Sequence, residues 1–546
     1  MTQIRAAAQS LLAEGRTEEA FDYLVAALAA VLQQNTDLQL VLAKLRRQQA
    51  RVRSERVSSE QLALLLEQLQ QLEPTASKPD TPAAEAETRA DAELEKQIAH
   101  SKQQERARNR RERPRTRGWR ARDIPRVVHQ VDVSEAERTC TTCGREKRRI
   151  GEDVTRTLEY VPAQFKEHVY HLAKYACGSC KDGVSAAPAP PKVIERSDAD
   201  ASVLAQVVVS KFADHTPLHR QHRIYGRVGV NIPVSTLSDW VAGVADRLVP
   251  LVDVIAARVL RAHVARTDAT GIKVLVPESA ENVERGTMWC YVGDDRDVVF
   301  RYTPTGEGAT GPWQFLADRR GYIQADAAGV FDRLFTGENA AVEVGCWAHA
   351  RRKFVALLET DCRVAYPLRL IRRVYRLEYL WDLEERTTEE RTAQRGERTR
   401  DALDKLLRWL IVTTANEPPS SELAKAANYC LNHWTALTRF LEDGRLSPDN
   451  NICEQQLRDV ALRRKNYLFA GSHDAAQRIA VLYSILRTCA QHDVPPLPYL
   501  TDVLRKLANG WDQSRLEELL PDRWHALHNG GNADPFTIAL PLASRS

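Results

Sequence analysis

Between Ala262 and Cys346 the chain passes through one short segment after another dense in β-branched and aromatic residues, and this succession limits the fold most tightly. The segments are Ala262 to Asp268, with Ile272 to Val276 as its continuation, then Thr287 to Val292, Val298 to Tyr302, Gly321 to Asp326 and Ala341 to Cys346. Their composition and alternation predict five strands, and the sequence beyond them reads as helices. The first strand closes on Asp268 and the fourth on Asp326. Further on, Ser447 can cap a helix and Pro448 suits its first turn, which leaves Glu454 about two turns inside.

Acids on the first and fourth strands and a glutamate on a late helix suit a ribonuclease-H-like α/β domain. A cluster of carboxylate oxygens prefers Mg²⁺ or Mn²⁺. Two such ions, roughly 3.5 to 4 Å apart, can activate an attacking oxygen and stabilise a leaving one in phosphoryl displacement. Each acid alone says little in a chain with 73 Asp and Glu. A strand-end Asp is most often solvated or caps a turn. Asp332, Glu343 and Asp449 are rivals for a ligand role, and Asp449 is the most serious, being close to Glu454 but at the helix start.

Cys140-Thr141-Thr142-Cys143 and Cys177-Gly178-Ser179-Cys180 form two C-x-x-C knuckles that together complete a tetrahedral Zn²⁺ site. With all four positions taken by protein sulfur, such a zinc is structural. Redox-active pairs are the alternative, though two pairs in one module suit a metal better. Thr155 to Val161 and Phe165 to Tyr175 can fill the interval with a β-hairpin, giving a ribbon-like module, and Pro188 to Pro191 reads as a hinge. Ten cysteines in a long chain without an export-signal pattern argue for thiols and metal ligands over disulfides.

Ahead of the knuckles, Leu24, Leu28, Val31, Asn35, Leu38, Leu42 and Leu45 alternate steps of four and three. That heptad register, with Asn35 at an a position, predicts a parallel dimer; an amphipathic helix packed in cis is the alternative. A second helix opens with a capping box at Ser58 and Gln61, so the two could instead form a helical hairpin. Glu73 to about Ala99 has the composition of a disordered linker, and Lys102 to Arg126 is an arginine-dense arm suited to DNA phosphates, with Arg111, Arg113, Arg115 and Arg117 as candidate contacts. Downstream of the knuckles, residues 201 to 245 read as short helices with a Gly229 to Pro233 turn, either a helix-turn-helix whose recognition helix begins near Ser235 or a plain bundle.

Several stretches, in order, resemble the transposases of the insertion sequence 66 family. They are the two cysteine knuckles, Ser210 to His215, Gln324 to Ala327, Cys346 to Phe354, Asp449 to Asn451 with Glu454, and Arg464 to Ser472. The resemblance runs from about residue 50 to 520. It implies a zipper-like N-terminal helix, a zinc module and a DDE catalytic domain whose acids are Asp268, Asp326 and Glu454, carrying two Mg²⁺ or Mn²⁺ ions. It also implies an all-α block interrupting the catalytic fold, here Val364 to Asp443. This sequence departs from the family at the first acid, where Asp268-Ala269-Thr270-Gly271 replaces Asp, a second acid and Thr-Pro. Cys346-x-x-His349 resembles a C-x-x-H signature of some DDE transposases, which makes His349, Arg351 and Arg352 candidate DNA contacts. The bland reading is a half-buried His with Cys346 in the core. Arg464 and Lys465, near the helix of Glu454, are further candidates.

The expected fold class is therefore multidomain, α and α/β: a coiled coil or helical hairpin over 1–75, linker and basic arm over 76–127, the four-cysteine, ribbon-like zinc module over 128–192 and helical DNA-binding residues over 193–258. The ribonuclease-H-like core takes 259–360 and 445–475 around an all-α insertion, 361–444, and a helical region ends the chain at 476–546. The formal net charge is only +4, so affinity for nucleic acid must come from local clusters. No run approaches the roughly 18 apolar residues of a membrane span, which makes a cytoplasmic, nucleoid-associated protein without membrane contact the expectation. The expected partners are double-stranded DNA (terminal repeats and target), a second copy of the chain or a higher homo-oligomer, and small accessory proteins of the same element. The expected activity is cleavage at element ends followed by transfer of the freed 3′-hydroxyl to target DNA. The alternatives are a zinc-containing DNA-binding protein without catalysis and another ribonuclease-H-like endonuclease, specific for junctions or RNA–DNA hybrids.

Overall fold

The computed structural model describes residues 82–112, 138, 142–146, 164–176, 184–279, 281–337, 340–462 and 469–529. The heptad seam and the helix expected at Ser58 lie outside them, as do Arg113, Arg115, Arg117, Cys140, Cys177, Cys180, Arg464 and Lys465. Two compact units are present, Gln103–Ala189 and the rest. Among the described residues no helix is long and apolar enough to cross a membrane.

The expected disordered linker is corrected from Pro82 onward: helix α1 spans Pro82–Glu112 and takes in the first part of the basic arm, including Arg111. Its Ala, Glu, Lys, Gln and Arg content favours helix. Leu94 and Ile98, one turn apart, are buried against Leu377, Leu380 and Trp381, and it is this packing that holds so polar a helix in place.

In the smaller unit the described strands are β1 (Lys174–Ala176) and β2 (Val184–Ala186), antiparallel with Tyr175 opposite Ser185. Of the expected hairpin, Thr155 to Val161 lies outside the described residues, and the other half is corrected. Phe165 to Ala173 is not a strand, and the partner of Lys174–Ala176 comes after the second knuckle, so the pair flanks Cys177 to Cys180.

The main body opens with α2 (Ala201–Phe212), α3 (Leu218–Arg227) and the long α4 (Val234–Arg261). A mixed sheet follows: β3 (Val264–Leu275), β4 (Val283–Gly293), β5 (Asp297–Thr303), β6 (Tyr322–Gln324) and β7 (Val342–Val344). Its order is β5-β4-β3-β6-β7, antiparallel among the first three and parallel from β3 to β7. Helix α5 (Trp347–Ala356) leaves β7. Residues 365–438 are then largely helical, with α6 (Ala365–Leu383), α7 (Thr388–Gln394), α8 (Arg400–Asn416), α9 (Glu422–Asn432) and α10 (Trp434–Thr438) around their own core of Leu370, Ile371, Leu403, Leu406 and Ala427. The chain returns through α11 (Asn451–Leu462), α12 (His473–Gln491), α13 (Pro496–Ala508) and α14 (Pro521–Asn529). The sheet core joins Met288, Val298 and Val299 to Leu248 and Ile255 of α4, Leu457 of α11 and Leu482 of α12.

Two polar devices fix the sheet. At its outer edge, Phe300 donates its backbone N–H to Ser484 Oγ at 2.8 Å, and Thr488 Oγ1 accepts from Val298 N and donates to Val298 O, both at 3.1 Å. These buried hydroxyls, one turn apart on α12, close an edge strand that would otherwise offer free backbone groups. At the centre, Arg319 donates to the carbonyls of Val259, Leu260, His263 and Tyr322, which caps the end of α4 and sets β6 beside β3.

Candidate active site

Asp268 does not end its strand as expected but sits in the interior of β3, paired in register with Cys290 of β4. The strand runs on through Gly271, where any Cβ would lie 2.9 Å from Arg285 Nε. Asp326 lies two residues past the end of β6, which stops at Gln324 and not, as expected, at the acid itself. Glu454 is in the first turn of α11, not two turns inside. The reason is local. Asp449 accepts from Asn451 N at 3.1 Å and from its Nδ2 at 2.7 Å, and the Asn450 carbonyl accepts from Cys453 N and Glu454 N, so the helix begins after these residues and not at Pro448.

All three carboxylates are half-buried, and the Asp268 carboxyl feels the other two. Burial first, and then the charges of Asp326 and Glu454, push the Asp268 carboxyl up to about 7, although it accepts from Ala269 N at 2.7 Å and lies near Arg352. Asp449 is otherwise employed: it is buried, and its carboxylate caps α11. Glu343, on β7, has His433, Asp332 and Arg439 as its charged neighbours, none of them in the acid group.

Helix α5 supplies the cations. Arg352 Nη2 reaches Glu454 Oε1 at 3.3 Å, with its side chain 62% exposed, and His349 Nε2 stands 3.9 Å from the same oxygen. Burial and Arg352 lower the His349 pKa, which favours the neutral ring, and its buried Nδ1 has no partner among the described residues. Cys346 is core, its sulfur accepting from Asn450 N at 3.3 Å, and His349 is half-buried, as the bland reading expects. Arg351 is half-buried near Asp449 and Tyr375.

Sequence reasoning passed over the residues that bind these elements together. Arg266, 1% exposed, lies two residues before Asp268, and Gln324, 0% exposed, two before Asp326. Arg266 Nη1 donates to Gln324 Oε1 and, at 3.2 Å, to the Asp449 carbonyl. Gln324 Nε2 donates to Gly345 O and Ser447 O at 3.0 and 2.8 Å, and Asn450 Nδ2 donates to Thr267 O at 2.8 Å. A polar side chain stands two positions ahead of each of these acids, and within β3 that spacing sets Arg266 and Asp268 on the same face.

The donor set is one that hard divalent cations prefer, three carboxylates whose mutual repulsion a cation would relieve. As the side chains stand, no three His, Cys, Asp or Glu among the described residues are grouped closely enough to hold an ion. Of the knuckle cysteines, Cys143 is the one within the described residues, and it is exposed.

Three family models match the chain. The family model "Transposase IS66 family" matches residues 196–478, "zinc-finger binding domain of transposase IS66" matches 137–181, and "IS66 C-terminal element" matches 484–521. Among curated proteins of Sinorhizobium fredii, the uncharacterized protein y4hP is 33% identical over 512 residues, covering 89% of this chain and 88% of that one. The uncharacterized protein y4qI is 33% identical over 426 residues, 75% of this chain and 77% of its own.

Proposed function

The chain belongs to the IS66 family of transposases, and on that premise we propose that it cleaves DNA at the ends of its element and transfers the freed 3′-hydroxyl to target DNA, using Asp268, Asp326 and Glu454. The observation that carries the reading is the Arg266–Gln324–Asp449 network, which joins β3, β6 and the segment just before α11, the three elements that bear or adjoin the acids. The strand order, with acids on the first and fourth strands, supports a ribonuclease-H-like assignment for the domain.

In the proposed reaction, a water oxygen attacks phosphorus at the element end, the P–O3′ bond breaks, and the proton lost by water is matched by one gained at the 3′-oxygen. The 3′-hydroxyl then attacks a target phosphodiester, releasing a target 3′-hydroxyl in turn. Bound Mg²⁺ or Mn²⁺ would supply Lewis acidity and a more acidic attacking water. The chain's part is to hold carboxylates, exclude solvent and present cations. Arg352 now occupies the Glu454 carboxylate. A scissile phosphate that draws Arg352 to itself frees Glu454 to join Asp268 and Asp326. His349, neutral and beside Glu454, is placed to orient DNA or water by hydrogen bonding.

Zinc on Cys140, Cys143, Cys177 and Cys180, DNA contact by Arg111, Arg113, Arg115, Arg117, Arg351, Arg464 and Lys465, and a parallel dimer through the Asn35 seam complete the proposal. Purified protein is incubated with Mg²⁺ or Mn²⁺ and a duplex carrying the terminal repeats that flank its gene, with and without the element's other proteins. Nicks at the repeat ends that require Asp326 and Glu454 support the reading. Nicks that persist in Asp326→Ala and Glu454→Ala would remove it.

A further inference from the structure

Many arginines on the helices of this protein pair with carboxylates. Arg369 and Arg373 of α6 bind Asp91, Arg376 binds Glu95, Arg478 of α12 binds Asp246, and Arg505 of α13 binds Asp200. Helix α3 carries three arginines and no acid of its own in its ten residues, Leu-His-Arg-Gln-His-Arg-Ile-Tyr-Gly-Arg. Arg220, Arg223 and Arg227 are all exposed, and none has a carboxylate partner among the described residues. Their spacing of three and four sets them in one stripe along the helix.

The helix carrying this stripe is fixed. Gln221, 1% exposed, donates to Val207 O and Thr216 O at 3.2 and 3.0 Å and accepts from Tyr225 Oη at 3.1 Å, which anchors α3 on α2. His222 Nδ1 lies 2.7 Å from Ile232 O and so holds the turn that begins at Gly229, where φ is +86°. That turn leads into α4, whose first residues, Val234 and Ser235, are exposed. Beside the stripe, Ile224, Val228 and Val234 are exposed large hydrophobics, 41%, 52% and 41% open. A rigid row of uncompensated guanidinium groups with an apolar margin is complementary to a duplex backbone: the cations meet phosphate, and the margin meets deoxyribose or a thymine methyl. In helix-turn-helix proteins it is the first helix that crosses the backbone.

We propose that Arg220, Arg223 and Arg227 of α3 form a phosphate-binding surface for double-stranded DNA, separate from the acid site. The proposal rests on the transposase reading only for the identity of the DNA. Three phosphates neutralised correspond to a slope of log affinity on log salt of about −2.7, or roughly forty-fold between 50 and 200 mM salt.

The test uses the full chain and a fluorescent terminal-repeat duplex, with anisotropy read across a salt series. The triple variant Arg220→Ala, Arg223→Ala, Arg227→Ala should bind more weakly, and its salt slope should be shallower by about 2.7, while the all-Lys triple keeps most of the slope. The substitutions are at exposed positions, so circular dichroism and the melting curve should match the parent. An Ala triple with unchanged slope and affinity overturns the proposal. So does a triple that loses binding to an acidic protein or to RNA while duplex affinity stays the same. A parent chain that fails to cleave but binds the duplex with a salt slope that the Ala triple reduces would count against the acid site and leave this surface standing.

Discussion

Arg266 donates to Gln324 between neighbouring strands, each residue two positions ahead of a candidate acid, and the same guanidinium reaches the carbonyl of Asp449 just before the helix of Glu454. One buried cation thus ties together the three elements that carry the acids. Gln324→Leu would leave Arg266 short of an acceptor and the carbonyls of Gly345 and Ser447 short of a donor. Urea unfolding should show a loss of about 2–4 kcal/mol, and Mn²⁺ binding followed by paramagnetic resonance should weaken as well. Unchanged Mn²⁺ affinity would show that the acids are placed without this network.

Closure of the sheet edge predicts a second effect. Thr488→Val keeps the shape but removes the group that both accepts from and donates to Val298. The expected cost is about 1–3 kcal/mol in chemical denaturation. Faster aggregation should accompany it as the edge opens, seen by light scattering on mild heating.

The packing of α1 on α6 is testable through Leu94, one of the two apolar residues that α1 buries there. Leu94→Ala should cost about 2–4 kcal/mol if α1 unfolds with the body. If the helix instead detaches locally, proteolysis within 82–102 should accelerate with little change in the main transition. Resistance to proteases with an unaltered melting curve would contradict the packing.

Asp443 gives a pH dependence. Hydrogen bonds from Arg445, and the one it shares with His263 at 2.8 Å, hold its carboxyl below the ordinary aspartate range. A carboxyl whose pKa is lowered in the folded state contributes stability that is present above the unfolded value of about 3.9 and is lost as pH falls through the folded value. Asp443→Asn should therefore destabilise at pH 7, and the gap to the parent should close as pH drops below about 4. Urea midpoints across that range decide it; a gap independent of pH would remove Asp443 as the titrating group.

Much of the core was legible because β-branched segments separate cleanly: the strands about Met288, Val298 and Val344 stand where their composition predicts. The acids were legible as types, but their local settings were not. The continuation over Ile272 to Val276 was legible, but not that the strand passes unbroken from Asp268 through Gly271, which lies against Arg285 of β4. Glu454 moved to the first turn because Asp449 and Asn450, not Ser447, take the caps. Helix α1 read as linker because Leu94 and Ile98 are too sparse for an amphipathic stripe; its partners lie far along the chain, as in Arg373 to Asp91, separated by 282.

The central claim is that Asp268, Asp326 and Glu454 act as one site on DNA. The most direct measurement is end cleavage by Asp268→Asn, Asp326→Asn and Glu454→Gln, with duplex affinity recorded on the same preparations. The account predicts that all three fall to the level of the protein-free blank while affinity stays close to the parent. Parental cleavage by any one of them would contradict it.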